Sequence, residues 1–263
     1  MLMVSAQTNV GKMRSVNQDT IYVSTDPLGP LPNLFVVADG MGGHNGGEIA
    51  SKEAIAHFSG YIAGLGEKTE EGVLDLLTSA ASAANKEVLE QAIRNPELAG
   101  MGTTLTACTI DQKNDQNNGQ NNGQKKCNII HIGDSRAYAI TSDKITQLTY
   151  DHSYVNEMVK AGQITQDEAR GHPKRNVLTR VLGINPEMSA DGYVFDIEPG
   201  SVILLCSDGL YNMVPEDEIK YIINNTEKEP ALALIAAANE RGGTDNISAV
   251  VIDTVNRIEE VIP

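Results

Sequence analysis

Tryptophan is absent from this 263-residue chain, and phenylalanine occurs only three times. Any interior must therefore be aliphatic, and a hydrophobic content of 41% is enough to build one. Cysteine is as scarce: Cys108, Cys127 and Cys206 stand apart, each in an apolar run. Three isolated thiols make no disulfide framework, and the lack of a Cys-x-x-Cys pair argues against a thiolate zinc site. Buried thiols in a reducing compartment fit best. Positive charge is in deficit, since 20 Lys and Arg face 35 Asp and Glu for a net −15. No basic face is visible, so no nucleic-acid partner is expected. Long apolar runs are missing too. Residues 231–238 form the longest, far too short to span a bilayer. The opening "MLMVSAQTNVGKMR" turns polar before it could serve as a secretory signal. A soluble cytoplasmic protein without a membrane partner is the expectation. Its acidity either keeps it in solution or gathers carboxylates around cations.

The segments that are present alternate in blocks. "VSAQTN", "DTIYVS" and "NLFVVAD" have strand character and are separated by turn formers. Apolar residues at helical spacing then predict helices over 46–62 and 69–94, the second stopped by Asn95-Pro96. "TTLTACTID", "CNIIHIG", "RAYAI" and "KITQLT" suggest an antiparallel meander, interrupted at 112–126 by an Asn/Gln/Gly-rich flexible hairpin loop with nothing to bury. Residues 151–186 are polar with short helices. Strands "YVFDI" and "SVILLCSD", helices over 216–224 and 229–241, and a last strand "NISAVVIDT" complete the chain. This order is not the alternation of a doubly wound sheet. It predicts an α+β fold in which two antiparallel sheets pack face to face beneath outer helices. Runs such as "VILLC", without polar alternation, suit strands buried on both faces.

Several apolar strands meet an aspartate at an end. "FVVADG" delivers Asp39, "IIHIGDSR" Asp134, "ILLCSDG" Asp208, "RGGTDNIS" Asp245 and "RSVNQDTIYV" Asp19. A single Asp-Gly is ordinary turn chemistry. Repeated at strand ends, which one edge of a sandwich can bring together, it predicts a cluster of carboxylates. Such a cluster repels itself unless protons or cations intervene. Oxygen ligands without His or Cys pairs favour hard ions, Mg²⁺ or Mn²⁺.

The segments "RSVNQD" (14–19), "VVADGMGGH" (36–44), "GTT" (102–104), "HIGDSRAY" (131–138), "LTYDHS" (148–153), "RNVLTRVLG" (175–183), "LLCSDGL" (204–210) and "GGTDNIS" (242–248) follow one another across nearly the whole chain. In content and order the sequence resembles the metal-dependent protein phosphatases, the type 2C serine/threonine phosphatases, in their bacterial form. The resemblance implies a four-layer α-β-β-α sandwich, two antiparallel sheets flanked by helix pairs, with residues 1–263 as one catalytic domain. It implies that Asp39 bridges two metal ions, that the Gly40 carbonyl binds one of them, and that Asp208 and Asp245 are ligands of the first. Asp19 would hold the second largely through water, and Asp134 would share a third, weaker site with Asp208. Arg14 would bind phosphate and His44 would act as general acid.

That reading implies two Mn²⁺ or Mg²⁺ ions, with a third site, and a water bridging the pair that attacks phosphoserine or phosphothreonine directly, without a covalent intermediate. Protonation of the leaving alkoxide would come from His44 or from a metal-bound water. Other phosphoryl signatures are missing. No cysteine has Arg six residues later, no Asp-x-Asp pair occurs, and "DGMGGHNGG" lacks the Gly-Lys-Ser/Thr of a P-loop. His131 fits a packed core, His57 a helix face, and His152 and His172 ordered loops. Residues 151–186 would be the flap beside the site. Lys160, Arg170, Lys174 and Arg175 there form either a substrate-docking surface or a solvated lid. A monomer is expected, with phosphoprotein substrates of a cognate bacterial Ser/Thr kinase. A catalytically dead scaffold and a hydrolase of small phosphate esters are the alternatives.

Overall fold

The computed structural model describes residues 2–42, 46–67, 70–111 and 125–254. His44 and residues 112–124 lie outside the described residues. In chain order the elements are β1 (Met3–Asn9), β2 (Asp19–Ser24), β3 (Leu34–Met41), α1 (Gly46–Gly64), α2 (Val73–Arg94), β4 (Gly102–Thr103), β5 (Leu105–Asp111) and β6 (Lys125–Ile132). There follow β7 (Arg136–Ile140), β8 (Ile145–Gln147), α3 (Tyr154–Lys160), α4 (Gln166–Arg170), β9 (Asp191–Ile197), β10 (Val202–Cys206), α5 (Asp208–Tyr211), α6 (Glu216–Asn225), α7 (Pro230–Glu240) and β11 (Ile247–Asp253).

Two antiparallel sheets form, one ordered β1-β11-β10-β7-β8 and the other β2-β3-β5-β6-β9, with β4 on β3. Strand periodicity explains the layering. Phe35 and Val37 of β3 join Ile203 and Leu205 of β10 and Val250 and Ile252 of β11 between the sheets. Their alternate neighbours face outward. Leu34, Val36 and Ala38 meet Ala54, Phe58, Leu77 and Ala84 of α1 and α2. Leu204, Cys206, Ala249 and Val251 meet Leu210, Ile219, Leu234 and Ala238 of α5, α6 and α7. The result is the expected four-layer sandwich. Burial on both faces explains why the strands lack polar alternation. Fully buried Phe35 has no access to water, and truncating such a ring to alanine costs about 3–5 kcal/mol.

Three expectations change. Helix α2 begins at Val73 rather than 69, because extended Gly72 (φ −64°, ψ 153°) is its N-cap and receives the Leu76 N–H at 2.9 Å. Glycine is a poor interior helix residue, so the helix starts after it. The meander also splits. β6 pairs with β5 and β9, and β7 pairs with β8 and β10, so the chain changes sheets between them. Gly133 permits that crossing: its φ is +104°, and a Cβ there would lie 2.7 Å from Thr104 Cβ. Of the loop expected over 112–126, Lys125 and Lys126 belong to β6 instead, and the rest lies outside the described residues.

Candidate active site

Strand register brings the first two acids together. Asp19 opens β2 directly opposite Asp39 of β3. The backbone of Asp39 is fixed from below by the "GTT" segment. Its N–H donates to Thr104 Oγ1 at 2.9 Å, and its carbonyl accepts from Thr104 N–H and Thr103 Oγ1, each at 2.9 Å. Thr104 Oγ1 also meets Ser135 Oγ at 2.8 Å, tying β5 to the turn that carries Asp134.

Asp19 belongs to one sheet and is held by the other. Its Oδ2 accepts from Ser207 Oγ at 2.7 Å and from Ser248 Oγ at 2.8 Å. Ser207 immediately precedes Asp208, the first residue of α5, and Ser248 lies in β11 just beyond Asp245. One buried carboxylate thus locks the acid-bearing ends of β2, β10 and β11 to one another.

The Arg14 loop is secured from the same place. Asn246 Oδ1 accepts from Gln18 N–H at 2.8 Å, and its Nδ2 donates to the carbonyls of Val10 at 2.9 Å and Val16 at 3.0 Å. Gly11, at φ +77°, packs so closely that a Cβ would sit 2.1 Å from the Asp245 carbonyl oxygen. Arg14 itself is exposed at the rim and donates to Asp245 Oδ2 at 2.8 Å. Gly40 needs the absence of a side chain: a Cβ there would lie 1.9 Å from the Gly47 carbonyl oxygen, where α1 begins. Asp134 is braced through its backbone, its carbonyl accepting from Tyr211 Oη at 3.0 Å. The Arg136 guanidinium lies 3.7 Å from the centre of the Tyr211 ring and pairs bidentately with Asp151, through Nε at 2.9 Å and Nη2 at 2.7 Å.

The electrostatics follow from this crowding. Burial pushes the Asp19 carboxyl up to about 6 despite its two serine donors. Burial, aided by repulsion from Asp151, pushes Asp134 up to about 7. Asp39 and Asp208 are raised well above the ordinary carboxylate range, first by burial and then by their acidic neighbours. The positive charge of Arg14 only partly offsets this at Asp208. Each shift says the same thing: the ionised cluster is short of positive charge.

Among the described residues, no three His, Cys, Asp or Glu side chains form a closed set able to hold an ion. The fit to divalent metal rests instead on the chemistry of the donors and on one orphaned atom. Among the described residues the converging groups are carboxylates, with no thiolate or imidazole among them. Asp19 Oδ1 is buried without a hydrogen-bond partner. An unmet buried oxygen of this kind is costly, and a hard cation or its water would satisfy it. Asp19, Asp39, Asp134, Asp208 and Asp245 thus offer oxygen donors of the kind a hard divalent ion takes.

The other histidines have structural partners. His131 is buried, with Nε2 donating to the Tyr150 carbonyl at 3.0 Å and Nδ1 against Thr106 Oγ1 at 2.9 Å. Burial lowers it to about 3, so it is neutral. His152 Nδ1 accepts from Gly133 N–H at 3.1 Å, which fixes Nε2 as the donor to Asp191 at 3.2 Å. Half-buried His57 pairs with Glu53 one helical turn away. A cleft of about 1000 Å³ opens from Asp134, Asp208 and Asp245 and runs between the 151–186 segment and α5–α6.

Residues 10–233 match the family described as protein phosphatase 2C. The chain belongs to that family. Among its relatives, the serine/threonine phosphatase stp of Listeria innocua is 34% identical over 252 residues, 94% of each chain. The crystal structure of the Mycobacterium tuberculosis serine/threonine phosphatase PstP/Ppp superposes with a TM-score of 0.81 at 34% identity, covering 97% of this chain and 99% of that one. The catalytic domain of PstP in complex with two manganese ions superposes with a TM-score of 0.78 at 32% identity, with 97% and 99% covered. As a protein phosphatase 2C, the chain stands with the serine/threonine phosphatases. Within this family fold, sequence reasoning had left Ser207, Ser248, Asn246, Thr104 and Arg136 without roles. All five lie inside the quoted motifs, yet their partners are far away in the sequence. No helix among the described residues is long and apolar enough to cross a membrane.

Proposed function

We propose that the protein is a Mn²⁺- or Mg²⁺-dependent phosphatase of phosphoserine and phosphothreonine in proteins. The observation that carries this is the gathering of Asp19, Asp39, Asp134, Asp208 and Asp245 from both sheets at one end, short of positive charge, with Arg14 on the rim. In this reading Asp39, Asp208 and Asp245 would hold the ions together with the Gly40 carbonyl and Asp19, and Asp134 with Asp208 would hold a third. When bound, the ions supply a water acidic enough to attack phosphorus at neutral pH.

The chain's own groups do the rest. Arg14 offers a planar fork to the phosphate oxygens. To do so it exchanges Asp245 for phosphate, which is easy because exposed ion pairs are worth about 0–1 kcal/mol. Asp19, clamped by two serines, keeps its free oxygen aimed at the centre rather than at solvent. The P–O ester bond breaks as water's oxygen bonds to phosphorus, and the leaving serine or threonine oxygen takes a proton. His44 is our candidate donor for that proton. No side-chain nucleophile is required: all three cysteines are buried, and Ser207 and Ser248, the serines that touch the cluster, are held as donors to Asp19. The similarity to serine/threonine phosphatases of Listeria and Mycobacterium supports phosphoprotein substrates; a partner Ser/Thr kinase, a cytoplasmic location and a monomeric state belong to the same proposal.

The test is hydrolysis of p-nitrophenyl phosphate and of a phosphothreonine peptide with Mn²⁺ and with EDTA. Metal-dependent turnover of both is expected. No turnover with metal would leave a binding scaffold as the better account. Turnover of small esters alone would point to a metabolite hydrolase.

A further inference from the structure

The cleft leading from the aspartate cluster has two unlike walls. On one side stand Arg170, at the end of α4, and Arg175. On the other stand Glu216 and Asp217, in the first turn of α6. The other cations of the cleft each have a carboxylate partner, though only the Arg136 pair is largely buried. Arg136 is held by Asp151, Lys144 by Glu198 at 2.7 Å, and Lys220 by Asp217 at 3.7 Å. Arg175 has no carboxylate partner among the described residues. Arg170 has only Asp167, at 3.4 Å, with the two side chains 77% and 91% exposed. A pair so open to water holds its arginine weakly.

The two lysines of the same segment are turned elsewhere. Lys174 Nζ sits 4.8 Å from the centre of the Tyr154 ring, and Lys160 Nζ 5.9 Å from that of Tyr150; neither lines the cleft. Successive turns fix the arrangement: His172 N–H donates to the Ala169 carbonyl at 3.2 Å, Arg175 N–H to that of His172 at 3.1 Å, and Val177 N–H to that of Lys174 at 3.1 Å. The two arginines are thus held on one wall next to the site, in a protein whose net charge of −15 otherwise repels acidic chains.

We propose that Arg170 and Arg175 read an acidic side chain flanking the phosphorylated residue, so that the enzyme prefers phosphoproteins with a carboxylate on one side of the target. The proposal rests on the phosphatase reading above and deepens it. The guanidinium fork pairs with a carboxylate in a defined plane. On the opposite wall Asp217 is offset by Lys220, and Glu216 disfavours an acidic side chain, so the preference is one-sided.

The test compares three phosphothreonine peptides with Mn²⁺: neutral flanks, acidic residues on the N-terminal side only, and acidic residues on the C-terminal side only. One of the two acidic peptides should exceed the neutral one in kcat/KM by about five-fold, the scale of one or two exposed charge contacts. That ratio should fall to one or below in the Arg170→Glu/Arg175→Glu variant and shrink towards one in Arg170→Gln/Arg175→Gln, which removes charge with less disturbance. It should persist in Lys174→Glu, and it should weaken at 0.5 M salt as screening shortens the field. Equal rates on all three peptides, or a preference that survives charge reversal, would overturn the proposal. Absence of Mn²⁺-dependent turnover of p-nitrophenyl phosphate by the unmodified protein would instead sink the phosphatase reading, and the inference with it.

Discussion

Two groups of acids in this protein behave as opposites. In the cluster at the strand ends, Asp19, Asp39, Asp134 and Asp208 face one another and are pushed up by burial and mutual repulsion. Immediately behind, Asp151 and Asp191 each own an arginine: Arg136 at 2.7 Å and Arg180 at 2.5 Å. Asp191 is correspondingly drawn below the ordinary range, its desolvation outweighed by bonds from His152 and Arg180. The second group is neutralised by the chain itself and serves to hold loops. In the first, no acid has an arginine so placed, and our reading gives that charge to a cation from outside. On that reading a desolvated acid points to metal only where the chain supplies no counter-charge.

The largest contrast should appear on replacing one member of the unpaired group. Asp39→Asn should lower Mn²⁺-dependent kcat/KM by about 10³-fold, the scale of losing a preorganised electrostatic group. Its melting temperature without metal should hold or rise, because an amide relieves repulsion among the remaining acids. Near-normal activity would break the assignment of Asp39 as the central ligand.

The paired group should respond the other way. Arg136→Met strands Asp151, whose side chain is only 15% exposed. Breaking a buried pair by removing one partner costs about 3 kcal/mol. Thermal unfolding should therefore begin several degrees lower, with or without metal, and activity should fall through loss of the Tyr211 bracket around Asp134. An unchanged melting temperature would show that the pair contributes nothing to holding that turn.

Metal should separate the groups more gently. Mn²⁺ at 100 times its Kd should stabilise the protein by about 2.7 kcal/mol. Asp39→Asn should blunt that gain and Arg136→Met should not. A melting curve indifferent to Mn²⁺ would argue that the aspartates do not form a preassembled site.

Much of this contrast could be read in the sequence, and the missing part has one cause. Apolar runs that end in Asp39, Asp208 and Asp245 announced both the strands and the acids at their tips, because strand burial and turn chemistry are local. Which sheet each strand joins was not local. The segment from β6 to β7 looked like one meander until the φ of Gly133 and its contact with Thr104 carried the chain across. The supports were hidden for the same reason. Ser248 lies in β11 and looks like any serine in an apolar strand; only pairing across the sandwich brings it to Asp19. The two arginines of the cleft could be listed but not distinguished from Lys160 and Lys174. Only the structure shows which of the four face the cleft and which lie on tyrosine rings.

The smallest effect concerns that serine and gives the contrast a pH signature. Without metal, Asp19 titrates near 6 and Asp134 near 7 in the folded protein, against about 3.9 for aspartate in an unfolded chain. Between those values the folded state binds more protons than the unfolded one, so stability should be greatest near pH 4 and fall as pH rises towards 7. Mn²⁺ binds the ionised cluster and should flatten that decline. Ser248→Ala removes one donor to ionised Asp19 while Ser207 keeps the other. It should cost about 1.5 kcal/mol at neutral pH, the value of a hydrogen bond to a charged group. It should also extend the decline to higher pH, because the donor it removes favoured ionisation. Urea titrations in EDTA from pH 4 to 8 would measure both. A metal-free protein that instead gains stability from pH 4 to 7 would mean that its acids are already neutralised from within, like Asp151 and Asp191, and the distinction between the two groups would fail.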